Sequence, residues 1–499
     1  MKNQHMINPL LRLSRFCLLP ASLLLASCAV GPDYERPQMN VPELFRGQDP
    51  TAASSTSMGD LAWSEVFRDP VLVGLISEGL ANNYDLRIAA ARVDEYRALA
   101  GVTRGALFPQ IDLTAGNNAV NGSRLSDPSS AASDNTSRNY DAGLLLTWEL
   151  DLFGRLRRED EAAVARWLAS EEGRRSVVVT LIADIASAYF TLRQYDQELE
   201  VARRTLDTNT AQVKYYRDRL QGGASNRLEV DQAEANRAYT ASRIPEFELR
   251  IAVQENLINL LLGRAPAPVP RGLALTEQAF PPDLPVGLPL QLLQRRPDVM
   301  QAEQALVAAN ANIGAAKALF FPNISITAAT GGLAKEFSDL GDSDAAVWSA
   351  GVGVLQPLFN AGAIRFNYEA AQARFDQALA QYQKTVQNSF RETADAVVSI
   401  EKTRASRLEI EASVVALQDA AQLARARYQG GLSSYLDILI ADQNLFSAEL
   451  NLVEVRAAEF TSTISLYRAL GGGWRTAAAE PPAGESADPA QTSQEQTAP

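Results

Sequence analysis

The amino-acid sequence predicts an α-helical fold combined with a membrane β-barrel, in which one structural unit occurs twice within the chain. Three observations support this prediction. The two halves share turn motifs in the same order, two long runs have a helical hydrophobic period without proline, and two segments alternate polar and apolar residues.

The internal duplication rests on matching motifs at a nearly constant spacing. Residues 108–114 (FPQIDLT) match 321–327 (FPNISIT) at an offset of 213, and 221–225 (QGGAS) match 429–433 (QGGLS) at an offset of 208. Several motifs in one order make chance similarity of helices a poor explanation. The predicted organisation is a signal peptide at 1–27, a lipidated segment at 28–69, repeats at 70–263 and 283–474, a proline-rich linker at 264–282 and a disordered tail at 475–499.

Each repeat contains a long helical run. Arg155–Gln221 has no proline and one glycine, and 366–429 has neither. Apolar residues in both runs alternate steps of four and three, the 3.5-residue period of coiled-coil seams. As continuous helices these runs would extend about 90–100 Å, and their apolar stripes require partner helices.

The strand predictions rest on alternation and on nearby aromatic residues. Polar and apolar residues alternate at 110–116 and 323–329, and the returning strands are predicted at 143–151 and 348–358. The polar connections 117–140 and 331–347 are expected to be surface loops. Aromatic residues cluster near the strand ends, as in the girdles of membrane barrels, although core packing would explain any one of them. Val352 and Val354 are assigned to the lipid-facing side.

The N-terminus reads as a secretory signal. A basic segment precedes an apolar stretch from Phe16 to Ala26, which is too short to span a bilayer as a helix. The stretch ends in Ser27-Cys28 within LASC, which resembles a bacterial lipobox. An ordinary cleavage site with an incidental cysteine is the alternative, but lipidation is favoured because Cys28 would otherwise be a lone thiol in an oxidising compartment.

Composition argues against catalysis and against nucleic-acid binding. The formal net charge is −13, whereas nucleic-acid binders normally carry a basic face. The chain has one histidine, His5, and two cysteines, Cys17 and Cys28. Removal of the signal leaves no histidine and no thiol other than Cys28, which excludes histidine triads, cysteine nucleophiles and zinc sites with such ligands. We therefore expect no enzymatic activity, no metal site and no cofactor.

The way the chain crosses a membrane follows from its strands. No segment after the signal is expected to be apolar and long enough for a transmembrane helix, so a closed barrel is the remaining structure. Four strands cannot close a barrel. Two chains would supply eight strands around a mostly filled lumen, and three would supply twelve around a tube. A conducting tube favours the trimer.

Five motifs carry a family resemblance. They are CAVGPDY at 28–34, WELDLFGR at 148–155, the stretch 288–298 with RRPD at its end, YQGG at 428–431 and LGGGW at 470–474. Together they resemble TolC-type outer-membrane efflux channels, specifically the OprM-like lipoprotein branch that serves resistance-nodulation-division (RND) pumps. The resemblance runs from Cys28 to Trp474.

The resemblance implies a TolC-like homotrimer with a twelve-stranded outer-membrane barrel and a long coiled-coil helical barrel in the periplasm. It implies a passive exit duct for drugs or other small toxic compounds, working with a periplasmic adaptor and an inner-membrane RND pump in a Gram-negative bacterium. Outer-membrane lipid would surround the barrel and receive the anchor on Cys28. Ala29 after this cysteine fits outer-membrane sorting.

Other functions remain open at this point. A TolC-like duct of a type I protein secretion system is the main alternative. A coiled-coil lipoprotein tether between membrane and wall, or a lipid-anchored hydrolase using carboxylates, would be a different class of protein. Heat-sensitive trimers and ion conductance would distinguish a duct from a tether.

The two glycine turns are the candidate adaptor-docking tips. Their glycines permit the positive φ of a tight reversal, and a serine in each turn is expected to cap the following helix. The docking role itself comes from the resemblance, and the plain alternative is that these are only turns. The tip residues are Gly222, Gly223, Ser225, Gly430, Gly431 and Ser433.

The resemblance also places a periplasmic gate on the helix after the second turn. The acidic pattern of the family is half kept, with Asp437 at the first position and Ile440 at the second. Either a ring of charge or a hydrophobic constriction would seal such a mouth, and solvated helix-end charges are the plain alternative. The other gate candidates are Glu229, the expected counterions Arg227 and Arg427, and the expected hydrogen-bond donor Tyr428.

Overall fold

After the short helix α1, the described chain follows the same order of helices and strands twice. The computed structural model describes residues 29–46, 57–121, 136–278 and 285–474, so the predictions for the signal peptide, Cys28 and the tail lie outside the described residues. The first half contains α1 (Trp63–Val66), α2 (Pro70–Asn82), α3 (Tyr84–Gly105), β1 (Gln110–Asn121), β2 (Thr136–Leu150), α4 (Arg155–Gln221) and α5 (Arg227–Leu261). The second half contains α6 (Pro289–Arg295), α7 (Pro297–Ala318), β3 (Asn323–Ala334), β4 (Ala346–Leu355), α8 (Ala363–Gln429) and α9 (Tyr435–Ala469).

Three pairs of corresponding helices have equal lengths, whereas the first pair differs, with 13 residues in α2 and 7 in α6. Helices α3 and α7 have 22 residues each, α4 and α8 have 67 each, and α5 and α9 have 35 each. At 1.5 Å per residue, α4 and α8 are about 100 Å long. The long helices predicted from the absence of proline are therefore confirmed, and α4 begins and ends at the predicted residues.

The expectation that no segment after the signal is apolar and long enough for a transmembrane helix is wrong for α4. The helix contains an 18-residue window with a mean hydropathy of 1.4, which is long and apolar enough to cross a membrane by composition. However, 56% of that window is buried within the protein. Its side chains Ile182, Ile185 and Leu192 are almost fully buried, so the apolar stretch forms a protein core.

The four strands form one antiparallel sheet in the order β1-β2-β3-β4. β1, β2 and β3 are longer than predicted, because Asn117 still pairs with Tyr140 and Gly331 with Val347. β4 begins two residues before the predicted start and ends at Leu355, three residues before the predicted end. The polar ends expected to be loops continue the ladder, since backbone hydrogen bonds do not depend on apolar side chains. Gly143 opposite Gly331 allows close approach here, because a Cβ on Gly143 would lie 2.5 Å from the Thr330 carbonyl oxygen.

The register gives the sheet one apolar face and one mainly polar face. Side chains alternate along a strand, so paired residues share a face across the sheet. The apolar face carries Ile111, Leu113, Leu144, Leu146, Trp148, Leu150, Ile324, Ile326, Trp348, Val352 and Val354. The opposite face carries Asp112, Thr114, Asp141, Glu149, Ser325, Thr327 and Ser349 among others. Val352 and Val354 thus lie together on the apolar face.

The chain divides into two compact units, each of which contains parts of both repeats. The first unit comprises Met1–Gln38, Arg92–Ser170 and Gln301–Gln383, of which the described residues include the whole sheet. Beside the sheet, small residues of α4 and α7 pack closely. These are Ala162, Ala165, Ala308 and Ala311.

The second unit comprises Met39–Ala91, Glu171–Met300 and Lys384–Pro499. Its main core forms around α4, where Ile185 and Tyr189 are fully buried. Side chains from α2, α5 and α9 complete this core. Examples are Leu72, Ile76, Phe247, Ile258, Phe460 and Ile464. The heptad stripe predicted on α4 is therefore covered by partner helices of the same chain.

The proline-rich segment predicted as a linker packs, in its described part, within the second unit. Val269 and Leu275 are each 2% exposed. Arg271 forms ion pairs with Asp196 and Glu255, the first at 3.1 Å. Prolines prevent a helix here, but they do not prevent an extended segment from packing.

The RRPD motif and the LGGGW ending contact each other. Arg296 is 7% exposed, and it pairs with Asp298 and Glu392 at 2.7 Å. The guanidinium also donates to the Ala469 carbonyl at the end of α9. Trp474 donates from Nε1 to the Arg295 carbonyl at 3.0 Å. These motifs fix the start of α7 to the end of α9.

Candidate functional site

The two glycine turns have the same backbone conformation. Gly223 has φ +68° and Gly431 has φ +71°, the left-handed region that glycine adopts readily. The Ala224 N–H donates to the Arg219 carbonyl at 2.8 Å, and the Leu432 N–H donates to the Arg427 carbonyl at 2.8 Å. Both turns therefore end their long helices with Schellman motifs.

The serines expected to cap the following helices do not do so. Asn226 is the N-cap of α5, and its side chain accepts from the Glu229 N–H at 3.0 Å. Ser434 is the N-cap of α9, and the Asp437 carboxylate accepts from its N–H at 3.0 Å. The predictions for Ser225 and Ser433 were therefore wrong by one residue.

Three tyrosines join the helix ends beside the turns; we call them the tyrosine cluster. The Tyr216 ring lies 4.5 Å from the Tyr435 ring and 5.8 Å from the Tyr428 ring, measured between centroids. Tyr216 and Tyr435 are each 2% exposed. The cluster connects the ends of α4 and α8 to the start of α9, so the two turns lie side by side.

Glu229 receives hydrogen bonds from both turns. The Tyr428 hydroxyl donates to Glu229 Oε2 at 3.1 Å, and the Ser225 hydroxyl donates to the same oxygen. Burial, together with the hydrogen bond and charge of Glu229, raises the pKa of Tyr428 to about 12. The phenol therefore keeps its proton at neutral pH and remains a donor. Sequence analysis expected Tyr428 to donate to the Asp437 carboxylates, whereas within one chain its acceptor is Glu229.

Arg219 is a further residue of this site. It donates to the Tyr215 hydroxyl at 2.9 Å and to the Ala224 carbonyl at 2.8 Å. Its guanidinium carbon lies 5.5 Å from the Tyr428 ring centroid, within the range of a cation–π contact. Sequence analysis missed Arg219, because its partners come from another turn of the helix and from a distant segment.

The expected counterions of Asp437 have other positions. Arg227 pairs with Asp231 at 2.8 Å within α5, and both side chains are exposed. Arg427 has no ion pair among the residues described in the structure. Nearby, Arg425 pairs at 2.6 Å with Asp442, a residue that sequence analysis did not select. Among the described residues of one chain, the Asp437 carboxylate is thus stabilised by hydrogen bonds from Ser434 at the cap of α9 and not by an arginine.

Asp437 and Ile440 share one exposed face of α9. Residues three apart on a helix are neighbours, and Ile440 is 49% exposed. Ile438, between them in sequence, is 2% exposed and packs in the core with Tyr435 and Val230. Both gate candidates therefore point away from the core of their own chain.

The comparisons with known proteins identify the family. The family model described as outer membrane efflux protein matches residues 75–264 and 288–472. The chain belongs to the outer membrane efflux protein family. It is an outer-membrane efflux channel with the fold of TolC-like channels.

Two curated relatives cover nearly the whole length. This efflux channel is 37% identical over 471 residues to the solvent efflux pump outer membrane protein SrpC of Pseudomonas putida, covering 92% of this chain and 99% of that protein. It is 34% identical over 464 residues to the cation efflux system protein CusC of Escherichia coli strain K12, covering 93% of this chain and 99% of that protein.

Solved structures agree with the fold. The outer-membrane channel OprN superposes with a TM-score of 0.83 at 31% identity, covering 90% of this chain and 100% of that one. The open state of the Neisseria gonorrhoeae outer-membrane channel MtrE gives a TM-score of 0.81 at 32% identity, covering 90% and 99%.

The gate prediction separates a charged seal from a hydrophobic one. Asp437→Asn keeps an acceptor for the Ser434 N–H and removes the charge, so it tests the charge without uncapping α9. If charge seals the mouth, Asp437→Asn and Asp437→Ala should raise single-channel conductance or reduce cation selectivity in planar bilayers. If Ile440 seals it, Ile440→Ala should open the channel and both Asp437 variants should change little. Wild-type conductance in all three variants would remove this region from the gate.

Proposed function

We propose that this channel is the passive, homotrimeric exit duct of a tripartite RND-type pump, anchored in the outer membrane through acylated Cys28. The observation that carries the proposal is the four-stranded sheet with one apolar face. In the order β1-β2-β3-β4, β1 and β4 are edge strands within one chain. Lipid cannot satisfy open edges, so other copies must pair with them. Three copies would supply twelve strands.

A homotrimeric duct should have the mass of three chains and should conduct ions. Native mass spectrometry of the detergent-solubilised protein should give three copies. The same preparation should conduct ions in planar bilayers without an energy source, because a duct performs no energy transduction. A stable monomer or dimer that still conducts would contradict the trimer, and a trimer without conductance would favour a structural tether.

The proposal assigns binding of the adaptor to the paired turns. Leu432 in the second turn is 73% exposed, and Gly222, Gly223, Gly430 and Gly431 are exposed as well. The inner-membrane pump would supply the energy and most of the substrate selection. Relatives named for solvent, toluene, antibiotic and cation efflux share similar sequences, which supports a duct that discriminates little among small compounds. A protein-secretion duct remains the second candidate.

The absence of catalysis is part of the proposal. Downstream of Cys28 the sequence has neither histidine nor cysteine. We therefore assign no chemical step to this chain.

A neighbouring adaptor and pump gene would identify the transport class, whereas a neighbouring peptide-exporting ATPase gene would favour type I secretion.

Acylation of Cys28 is tested by the mass of the N-terminal peptide. Cleavage after Ser27 should leave Cys28 as the first residue, carrying a diacylglycerol and an amide-linked acyl chain. Lipid chains add to the hold that the barrel has on the membrane. An unmodified Cys28 thiol, or a mature chain that starts elsewhere, would refute the prediction.

A further inference from the structure

A cavity of about 570 Å³ lies in the first unit, where α4, α7 and α8 meet. We call it the helix groove. Its apolar lining comes from α7 and α8 and consists of Ala305, Ala308, Ala309, Ala315, Ala316, Leu319 and Ala371. Its polar lining consists of Glu159, Arg166, Asn312, Asn367 and Arg374. Mainly apolar walls with a few polar groups are typical of sites that bind small molecules.

The helix groove lies on the same side of the first unit as the mainly polar face of the sheet. Leu319 lines the groove and also lines a second cavity, of about 330 Å³, at the strand ends. Among the strand residues of that second cavity, Glu149, Asn323 and Leu355 belong to the mainly polar face, and Leu150, the last residue of β2, does not. An outer-membrane barrel turns its apolar face to lipid, so the helix groove faces the interior of the duct.

The start of the described chain covers the opposite side of α7. Arg36 Nε donates to Glu303 at 2.6 Å, and the Asn310 side chain donates to the Pro32 carbonyl at 3.0 Å. Glu303 precedes Asn312 by about two and a half helical turns, so their side chains project from opposite sides of α7. This segment therefore leaves the helix groove open to small molecules.

Two arginines of the helix groove form no ion pair with any residue that the structure describes. They are Arg166 on α4 and Arg374 on α8, and both are exposed. The acidic residue of the groove, Glu159, pairs instead with Arg155 at 2.9 Å. With two arginines and one glutamate, the lining is positively charged, although the chain as a whole has a formal net charge of −13.

We propose that the helix groove binds anionic amphipathic compounds on the inner wall of the duct, an inference that rests on the exit duct proposed above. Arg166 and Arg374 bind the carboxylate or sulfonate group, because a guanidinium forms charge-assisted hydrogen bonds with such oxygens. The apolar part of the compound lies on the alanines of α7, and the amide of Asn312 can donate to a further oxygen. Such binding favours organic anions over organic cations of similar size without excluding either.

Block of the single-channel current by a test anion measures this binding. Naphthalene-1-sulfonate should reduce the conductance of the purified channel in planar bilayers at low ionic strength, where charges are screened least. Arg166→Gln/Arg374→Gln should weaken this block about tenfold, because it removes both positive charges and keeps polar side chains. The cation 1-naphthylmethylammonium, which has the same ring system, should lose no potency in this variant.

Arg365→Gln is the matched control for Arg374→Gln. Both arginines are exposed residues of α8, and each substitution removes one positive charge. They are about two and a half turns apart, so Arg365 lies on the side of α8 opposite to the groove, where it pairs with Glu369 at 2.7 Å. Arg374→Gln should weaken the block by naphthalene-1-sulfonate, and Arg365→Gln should leave it unchanged.

A thiol at position 312 tests whether the helix groove faces the duct. The sequence has no cysteine after Cys28, so Asn312→Cys adds a single new target for a methanethiosulfonate reagent. Labelling should lower the conductance of this variant, and the wild-type channel treated in the same way gives the blank. The reagent that carries a sulfonate should react faster than the one that carries a trimethylammonium group, because the arginines attract anions.

The contrary outcomes can be told apart. Equal block of the wild-type channel and Arg166→Gln/Arg374→Gln by naphthalene-1-sulfonate would overturn the role of the arginines. An equal loss of potency for the anion and the cation would show that the variant changes the shape of the duct instead of its charge. Labelling at 312 without a change in conductance would place the groove outside the duct. A wild-type channel that does not conduct would refute the exit duct itself and the inference with it.

Discussion

Replacing Val352 with arginine is expected to destabilise the membrane-inserted channel by about 2–4 kcal/mol per chain if the residue lies at the bilayer midplane. Val352 is 70% exposed in one chain and lies on the apolar face, paired with Ile326. A charge on this face would have to be desolvated in hydrocarbon. Val354→Arg, two residues further along the same face, should have a similar effect.

The matched control is Ser349→Arg on the opposite face of β4. Ser349 is also exposed, and it pairs with Ala329 on the mainly polar face. There a charge would remain in water and should affect ion selectivity rather than stability. Urea titration of the channel in liposomes would measure the difference. If Ser349→Arg is the more destabilising change, the two faces have been assigned the wrong way round.

Bulky residues at both glycine turns should abolish pump-dependent resistance. In Gly223→Leu/Gly431→Leu, the added Cβ would meet no atom of the chain within 4 Å, so there is no clash within one chain. The left-handed φ of both glycines adds strain of about 1–2 kcal/mol per residue, which a large assembly should tolerate. The lost function would then come from the surface that the adaptor contacts. Drug susceptibility should equal that of a strain without the channel.

Two further variants separate docking from backbone strain. Gly222 and Gly430 have no positive φ, and a Cβ on either would lie 3.6 Å from its nearest neighbour. Gly222→Leu/Gly430→Leu thus adds bulk without strain and should also lose resistance. Asparagine at 223 and 431 tolerates the left-handed conformation and should retain more function. Normal resistance with leucine at all four positions, and with trimers at wild-type levels in the membrane, would count against docking here.

The sequence predicted the long helices accurately and the details of the turns less well. Proline and glycine are strong signals, so α4 was located to the residue. The caps were displaced because Ser225 and Asn226, like Ser433 and Ser434, are adjacent residues of cap-forming type. Only the geometry of the turn decides between neighbours.

Contacts between segments that are distant in the sequence could not be predicted from it. The tyrosine cluster forms because three helix ends meet, and no local pattern marks Tyr216 or Tyr435 as partners of Tyr428. Strand ends were also underestimated, because ladder pairing extended into polar residues such as Asn117. The assignment of Val352 and Val354 to one face of the sheet, in contrast, agrees with the register.

The equal lengths of the paired helices restrict how the chain can change in evolution. One residue inserted into α4 alone would shift its turn by about 1.5 Å and rotate it by about 100° relative to the turn after α8. Tyr216 would then lose register with Tyr428 and Tyr435. Insertions and deletions should therefore be accepted only as coordinated events, in both halves and in whole heptads. The amino-acid composition of the two halves can diverge, while the lengths of α4 and α8 have to stay equal.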